Sequence, residues 1–590
     1  MCNFITKKMV GRLYLTVLFA LLSALHSYAQ VTDGIDEVMR VMGADSPEDV
    51  DPEEFERLYD FIDHPLRINM VPESRLVASG LFTKYQAASL TDYRRRHGNV
   101  VSYAELAAVD GFGADVVSNL RRFISLECHD LHEDESGMRH DVALRMSTKP
   151  AKASFGWNYG LKYRVRSERF SLALASSRSY SAGTLWPDAY SGSFTYDFRR
   201  FRGRISVGDF NARFGQGLAL WSGMFMTSLN APEAFMKKPS GISETWSFTG
   251  SSALTGIAAN MSVKHLTFTF MTAVPGLKSF LDKPGNLSLM PAVNIAWQGA
   301  HGSLSATQVA QMRTSADGAF CVKGVNLFGE VAYDWVAKDI NAVAGTDFPI
   351  GDGGRIAALM KYIPCRFDGP ARHQAASSAA FAFGPMVASA GTSASAAARN
   401  HHSMTFSADL VRYVEPKEDG VPLSLQSKFL AEWRFIMNPY WETRLRITER
   451  LRTWGHMSRT DCRADLIYSA GPWMAAVRLN HLHCVGHAFA GYAEQGCKTS
   501  VMSAYLREGL FFVDDWEDRI YVYERDAPGS FNVPAMYGRG WFASLVVSGK
   551  VSQAVRLYLR ASYTGYDFMQ AEKRKPGKAE LKFQLVLRYL

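Results

Sequence analysis

At 590 residues the chain is too long for one ordinary domain. Charged residues make up 21%, aromatics 12% and glycines number 47, with a net charge of +8 and a mean hydropathy of −0.11. This excludes a bundle of membrane-spanning helices: beyond the first thirty residues no run approaches the ~20 consecutive apolar residues that one span needs.

The one long apolar run, Leu13 to Leu25, follows Lys7, Lys8 and Arg12 and precedes Ser27-Tyr28-Ala29. That pattern predicts a secretory signal peptide over residues 1–29, cut before Gln30. Export would place Cys128, Cys321, Cys365, Cys462, Cys484 and Cys497 in an oxidising compartment, where Cys484 and Cys497 are the one close pair able to bridge. Residues 30–63 follow as an acidic helical segment, in which only Arg40 and Arg57 stand against twelve carboxylates. Ser46-Pro47-Glu48 is a helix-start signal within it.

Helix punctuation continues over residues 64–127. Val71-Pro72-Glu73 opens a short helix that Ser79-Gly80 ends, and Thr83 caps a longer one closed by His97-Gly98. Ser102-x-x-Glu105 matches a capping box. Gly111-Phe112-Gly113-Ala114 then bends sharply into a last helix with the apolar stripe Val116, Val117, Leu120 and Ile124. A helix starting on such a turn presents unpaired N–H groups and the positive end of its dipole, which suits one backbone phosphate. Arg94, Arg95 and Arg96 would add a basic rim.

These residues resemble a known family. Ile68-Asn69, Tyr93-Arg94 with Gly98, Ser102 with Glu105-Leu106, and Gly111-Phe112-Gly113 look like the tandem helix-hairpin-helix domain of the competence DNA receptor ComEA and its relatives. The resemblance implies sequence-independent binding of double-stranded DNA through its backbone, with Gly111, Phe112, Gly113, Ala114, Arg94, Arg95, Arg96 and Gly80 at the phosphates. The first hairpin departs from the pattern, carrying Gly80-Leu81-Phe82 where the family has Gly-x-Gly.

From residue 140 the hydrophobic period changes from 3.6 to 2. Tyr159, Leu161, Tyr163 and Val165 alternate with Gly160, Lys162, Arg164 and Arg166, and Leu581, Phe583, Leu585, Leu587 and Tyr589 with Lys582, Gln584, Val586 and Arg588. Such two-faced segments, repeated between turn residues, predict an antiparallel transmembrane β-barrel over residues 140–590, with roughly 18–22 strands and both termini in the periplasm. A lumen-facing Lys162, Arg164 and Arg166 would favour anions. Val387 to His402, rich in Ala, Ser and Gly, reads as a mobile external loop.

Two further patches, Phe214-Gly215-Gln216-Gly217-Leu218 and Arg519-Ile520-Tyr521-Val522-Tyr523-Glu524, resemble a family of largely uncharacterised outer-membrane proteins from Bacteroidota that place a hairpin head before a barrel. Gly215-Gln216-Gly217 reads as a strand-packing or lumen feature. His481, His483, Cys484, His487 and Cys497 are the one metal-like cluster, but they match no compact zinc motif, so no metal site is assigned. Glu508, Asp514, Asp515, Glu517 and Asp518 read as an exposed acidic loop. No Gly-x-Ser-x-Gly elbow or Walker loop is present.

The expected protein is therefore multidomain: a small all-α head hanging in the periplasm, followed by an outer-membrane barrel. It is expected to be non-enzymatic and to need no cofactor, and to bind duplex DNA backbone during uptake. The alternative is a transport or envelope-assembly barrel whose head docks a periplasmic protein.

Overall fold

The computed structural model describes residues 34–42, 52–128, 138–149, 156–167, 169–180, 183–198, 203–223, 232–246, 253–274, 289–299, 301–350, 354–364, 376–389, 401–528, 530, 532–566 and 577–589. The signal peptide and Ser46-Pro47-Glu48 lie outside them. Six helices come first: α1 (Gly34–Met42), α2 (Pro52–Asp63), α3 (Glu73–Ala78), α4 (Lys84–His97), α5 (Tyr103–Ala108) and α6 (Gly113–Leu120). Local chemistry sets their ends. Thr83 and Gln86 form a reciprocal capping box at the start of α4, Gly98 closes it at φ 88°, and Ser102 accepts from Glu105 N–H to start α5.

One apolar core joins these helices, with Val38 of α1, Leu58 of α2, Leu76, Leu90, Leu106, Val117 and Phe123 all buried in it. Asn69 fastens the two ends of the unit. Its amide donates to Val100 O (3.0 Å) and Leu126 O (2.8 Å) and accepts from Val100 N–H (2.9 Å). A short parallel pairing of Leu66–Arg67 with Ile124–Ser125 lies beside it.

The remainder is a closed antiparallel barrel of 24 strands, more than the sequence suggested. Strand Lys578–Tyr589 closes it by pairing with Arg139–Thr148, from Leu581 opposite Thr148 to Tyr589 opposite His140. The short strand Gly241–Glu244 is an additional partner of Gly203–Arg213. Outward positions are apolar and exposed, as at Leu161, Leu174, Ile257, Phe270, Val331, Met360 and Leu479, whereas Lys162, Arg164, Ser191, Asn294 and Thr307 point inward and are buried. That is the surface of a barrel that crosses a membrane. None of the described helices is long and apolar enough to do so.

Connections differ between the two ends. Lys264-His265, Lys323-Gly324, Pro439-Tyr440 and Gly471-Pro472 are two-residue turns at the end where the chain enters and leaves the barrel, called here the terminal end. The longest connections, 214–240 with 245–253, and 514–537, lie at the opposite, far end. The expected external loop at Val387 to His402 is corrected in part. Ala376–Ser389 and His401–Tyr413 are paired strands, with Ala388 opposite His402, and this hairpin sits at the terminal end. Residues 390–400 lie outside the described residues.

Candidate functional site

A barrel this wide cannot be filled by its own wall side chains: about 8 strands can be, while 16–18 leave an aqueous channel and 22 are found plugged. Here three inward-folded pieces occupy part of the lumen, and the first is the helical region. The α2 helix runs along the inner wall with its carboxylates against wall cations. Glu54 pairs with Arg213 near the far end, Glu56 with Lys162 at mid-strand, and Asp60 with Arg164 (3.0 Å) and Arg166 (3.4 Å) toward the terminal end. Arg164 also bonds Asp141 (3.2 Å) and stacks on Trp246 (3.7 Å to the ring centre). Further along, Arg75 approaches Asp197 (3.6 Å), and Lys238 Nζ reaches Leu81 O (3.5 Å).

Electrostatics fix these acids in their charged form. Burial alone would push the Glu54 carboxyl up, but the Arg57 and Arg213 guanidiniums outweigh it and hold it at about 2. Asp60 is likewise held well below the carboxylate range by Arg164, His64 and Arg166 despite its burial. His64, 3.1 Å from Asp60, is pushed below its ordinary value by burial, which outweighs that neighbour. The head was expected to hang beneath the pore; α2, α3 and the start of α4 instead lie against the inner wall of the barrel. Lys162, Arg164 and Arg166 do face the lumen, but the plug's own carboxylates meet them.

The second inward piece is Phe214 to Gly223. Gly215 (φ 57°) and Gly217 (φ 85°) turn successive amides the same way, and Glu330 on wall strand Val325–Asp334, six strands round the barrel, accepts from the N–H groups of Gln216 (2.7 Å), Leu218 (3.0 Å) and Ala219 (3.2 Å). The lumen reading of this glycine motif was the correct one. The third piece is the stretch 519–528. Ile520 and Val522 are buried against the wall, Glu524 pairs with Arg560, Arg525 with Glu494 (2.7 Å), and Asp526 with Lys582 (2.5 Å).

The residues expected at DNA phosphates fall into three places. Gly80 (φ 68°) lies inside the lumen, backed by Arg57, which donates to Ala78 O (3.0 Å) and Ser79 O (2.8 Å); Leu81 and Phe82 beside it are fully buried. Gly111 (φ 83°) packs on the Tyr85 ring, and its carbonyl accepts from Gln86 (2.7 Å) and Tyr85 (3.2 Å). Phe112 is buried against Phe82, whereas Gly113 is exposed and opens α6 with no side-chain cap. Ala114 is in the first turn of α6. Arg94, Arg95 and Arg96 are at the other end of α4, about 15 Å along the helix from Tyr85. Arg94 donates to Val71 O (2.9 Å) and Asn69 O, and Arg95 and Arg96 both pair with Asp92. The fold thus brings the two glycine turns together and does not bring the arginines to them.

Other candidate chemistry is dispersed. His481 Nε2 and His487 Nδ1 lie 3.0 Å apart on the outer face at the far end, but Cys484 is in the turn there, and Cys497 is at the opposite end of strand His487–Lys498. Cys484 and Cys497 are free thiols, so the expected bridge does not form. Cys365 lies outside the described residues. No group of three or more metal-ligating side chains occurs among the described residues. In the acidic strip, Asp514 is bidentate with Arg539 (2.6 Å) and Asp518 accepts from Gly486 N–H (2.7 Å), while Glu508 is on strand Met502–Val513 rather than in a loop.

No protein-family model and no curated protein matches the chain. Solved outer-membrane barrels are similar to it in scaffold. The P pilus usher (PapC) translocation pore is 8% identical, with 77% of this chain and 99% of that one covered at a TM-score of 0.39. OccK11 (OpdR) of Pseudomonas aeruginosa is 11% identical, covering 77% and 96% at 0.28. The copper transporter OprC is 8% identical, covering 77% and 80% at 0.35.

Proposed function

We propose that the chain is a non-enzymatic outer-membrane channel occluded by its own N-terminal helical region. The terminal end, with its tight turns, is the periplasmic face, and the longer far-end connections are external. One observation carries the reading: the acids of α2 and the cations of the wall are matched along the barrel, Glu54 to Arg213, Glu56 to Lys162, Asp60 to Arg164 and Arg166. A lumen of this width occupied in part by a charge-matched unit is built to be opened. Glu54→Gln/Glu56→Gln/Asp60→Asn in the full chain, reconstituted in planar bilayers, is expected to raise conductance several-fold over the parent. Equal, negligible conductance of both proteins removes the channel reading.

A second reading keeps a periplasmic ligand for the second turn, because Gly113 is exposed and α6 begins uncapped. In it residues 64–127 act as a tandem helix-hairpin-helix domain, and the amides of Gly111 to Ala114 contact duplex DNA backbone. Salt-sensitive retardation of duplex DNA by the detergent-solubilised full chain supports it. No retardation at low ionic strength removes DNA and leaves a periplasmic protein as the ligand to seek by crosslinking.

A further inference from the structure

The wall itself carries an inference about what would pass, resting on the channel reading above. On strands Trp441–Arg452 and Ser458–Ala470 the inward positions are largely charged, and the antiparallel register stacks them in rows with Lys428, Glu432 and Arg434 of strand Ser424–Asn438 and Arg478 of strand Trp473–His483. Nearest the far end, Lys428 is directly opposite Arg450, and Arg450 directly opposite Arg459, with Asp409 as the one carboxylate in that row. Directly opposed like charges destabilise a sheet unless something neutralises them.

At mid-barrel Glu432, Arg446 and Arg463 form the next row. Toward the terminal end the carboxylates are shared: Glu442 pairs with both Arg434 (2.7 Å) and Arg444, and Asp465 with both Arg463 (2.7 Å) and Arg478 (2.6 Å). Asp461, between the first two rows, offsets one further charge. Over the four strands taken together cations outnumber carboxylates, although the level of Asp461 and that of Glu442 each carry a carboxylate and no cation. Most of these side chains are half-buried, unlike the sealed inward residues of strand Met290–Gly299, so water and ions reach them.

We propose that this arc of the lumen is a binding path for small oxyanions, solutes bearing phosphate, sulfate or carboxylate groups, handed along the arginine rows. Guanidinium forks match the planar or tetrahedral oxygens of such groups in pairs; the mid-barrel row and the row of Arg434 and Arg444 are two residues, about 7 Å, apart, and the far-end row is four residues, about 13 Å, from the mid-barrel one. Residual positive charge in a confined lumen raises the local anion concentration over bulk.

The test uses the full chain in planar bilayers under a potassium chloride gradient, with Glu54→Gln/Glu56→Gln/Asp60→Asn as a second background. The expected reversal potential gives a chloride-to-potassium permeability ratio of about 5 or more, falling to about 1 or below in Arg446→Glu/Arg450→Glu. Added inorganic phosphate or sulfate should depress the chloride current in the parent and not in that variant. Current without anion preference in either background overturns this proposal and leaves the channel reading intact. No current in both overturns the channel reading and this proposal with it.

Discussion

Two arcs of one barrel wall treat inward charge in opposite ways. Along strand Trp157–Arg166, Lys162 and Arg164 are buried, and their counter-charges come from another part of the same chain, Glu56 and Asp60 of α2. Along strand Trp441–Arg452, Arg444, Arg446 and Arg450 are half-buried, and the carboxylates near them are wall residues shared between two guanidiniums, as Glu442 is. The first arc is internally neutral and dry, which makes it a seal. The second carries more wall cations than wall carboxylates on half-buried side chains, which suits the anion path proposed above. Both strands alternate an outer face with an inner one, and the contrast of seal and path is drawn on the inner face.

The sharpest way to break this contrast is to reverse a charge on the seal. Glu56→Lys would set two ammonium groups together at a site where Lys162 is 1% exposed. Breaking a buried pair costs about 3–5 kcal/mol, because the remaining charge is left unmatched. The helical region should leave the lumen, seen as new protease sensitivity between residues 52 and 128 with the barrel still intact. A plug that stays protected would mean that apolar contacts, and not ion pairs, hold it.

Acid should loosen the same arc without mutation. The Glu54 carboxyl is held at about 2 inside the lumen against an ordinary 4.5, so its contribution is complete above about pH 4.5 and is lost as pH falls toward 2. Asp60, also held low, acts with the same sign. His64, lowered by burial, adds a component that begins below its ordinary 6.5. Conductance should therefore rise on acidification, most steeply below pH 4.5, and Glu54→Gln/Asp60→Asn should flatten the profile. A conductance that falls with acid would contradict the seal.

How far the sequence carried is best seen in particular residues. Thr83, Gly98 and Ser102 announce helix ends through local hydrogen bonds, so those boundaries were legible. Alternation in Tyr159–Arg166 and Leu581–Tyr589 was legible because lipid outside and charge inside demand it. Ala376–Ser389 hid because small residues on both faces erase the period, and runs like it lowered the strand count. The seal was illegible for another reason: Glu56 and Lys162 are 106 residues apart. Its one trace was complementarity, an acidic segment at 30–63 and the triplet Lys162, Arg164, Arg166, which were read separately. Arg94 bonds Asn69 O and Val71 O, contacts the sequence could not announce because such a guanidinium looks there the same as one that waits for phosphate.

A moderate effect is expected at the inward loop that flanks the sealed arc. Glu330→Ala leaves the amides of Gln216, Leu218 and Ala219 without their acceptor, and each unsatisfied buried group costs about 1–3 kcal/mol before the loop relaxes. Faster amide exchange at residues 214–223 would report it. Glu330→Gln keeps one carbonyl oxygen and should restore part of the protection. Equal exchange in all three proteins would show that the apolar packing of Phe214 and Leu220 holds the loop without the carboxylate.

The smallest structural effect, and the one that most sharpens the contrast, belongs to Glu442→Gln in the second arc. In the sealed arc a lost carboxylate strands a buried cation, but here Arg434 and Arg444 keep 33% and 18% of their side-chain surface in contact with solvent. Ions replace the missing charge, so unfolding should shift by under about 1 kcal/mol, as for exposed pairs. The electrical effect goes the other way: one more uncompensated charge should raise chloride preference. That gain should be clear at 0.01 M salt, where the screening length is about 30 Å, and vanish near 1 M, where it is about 3 Å. A change in stability as large as that of Glu56→Lys would mean the two arcs are equally dry, and the division of the lumen into seal and path would fail.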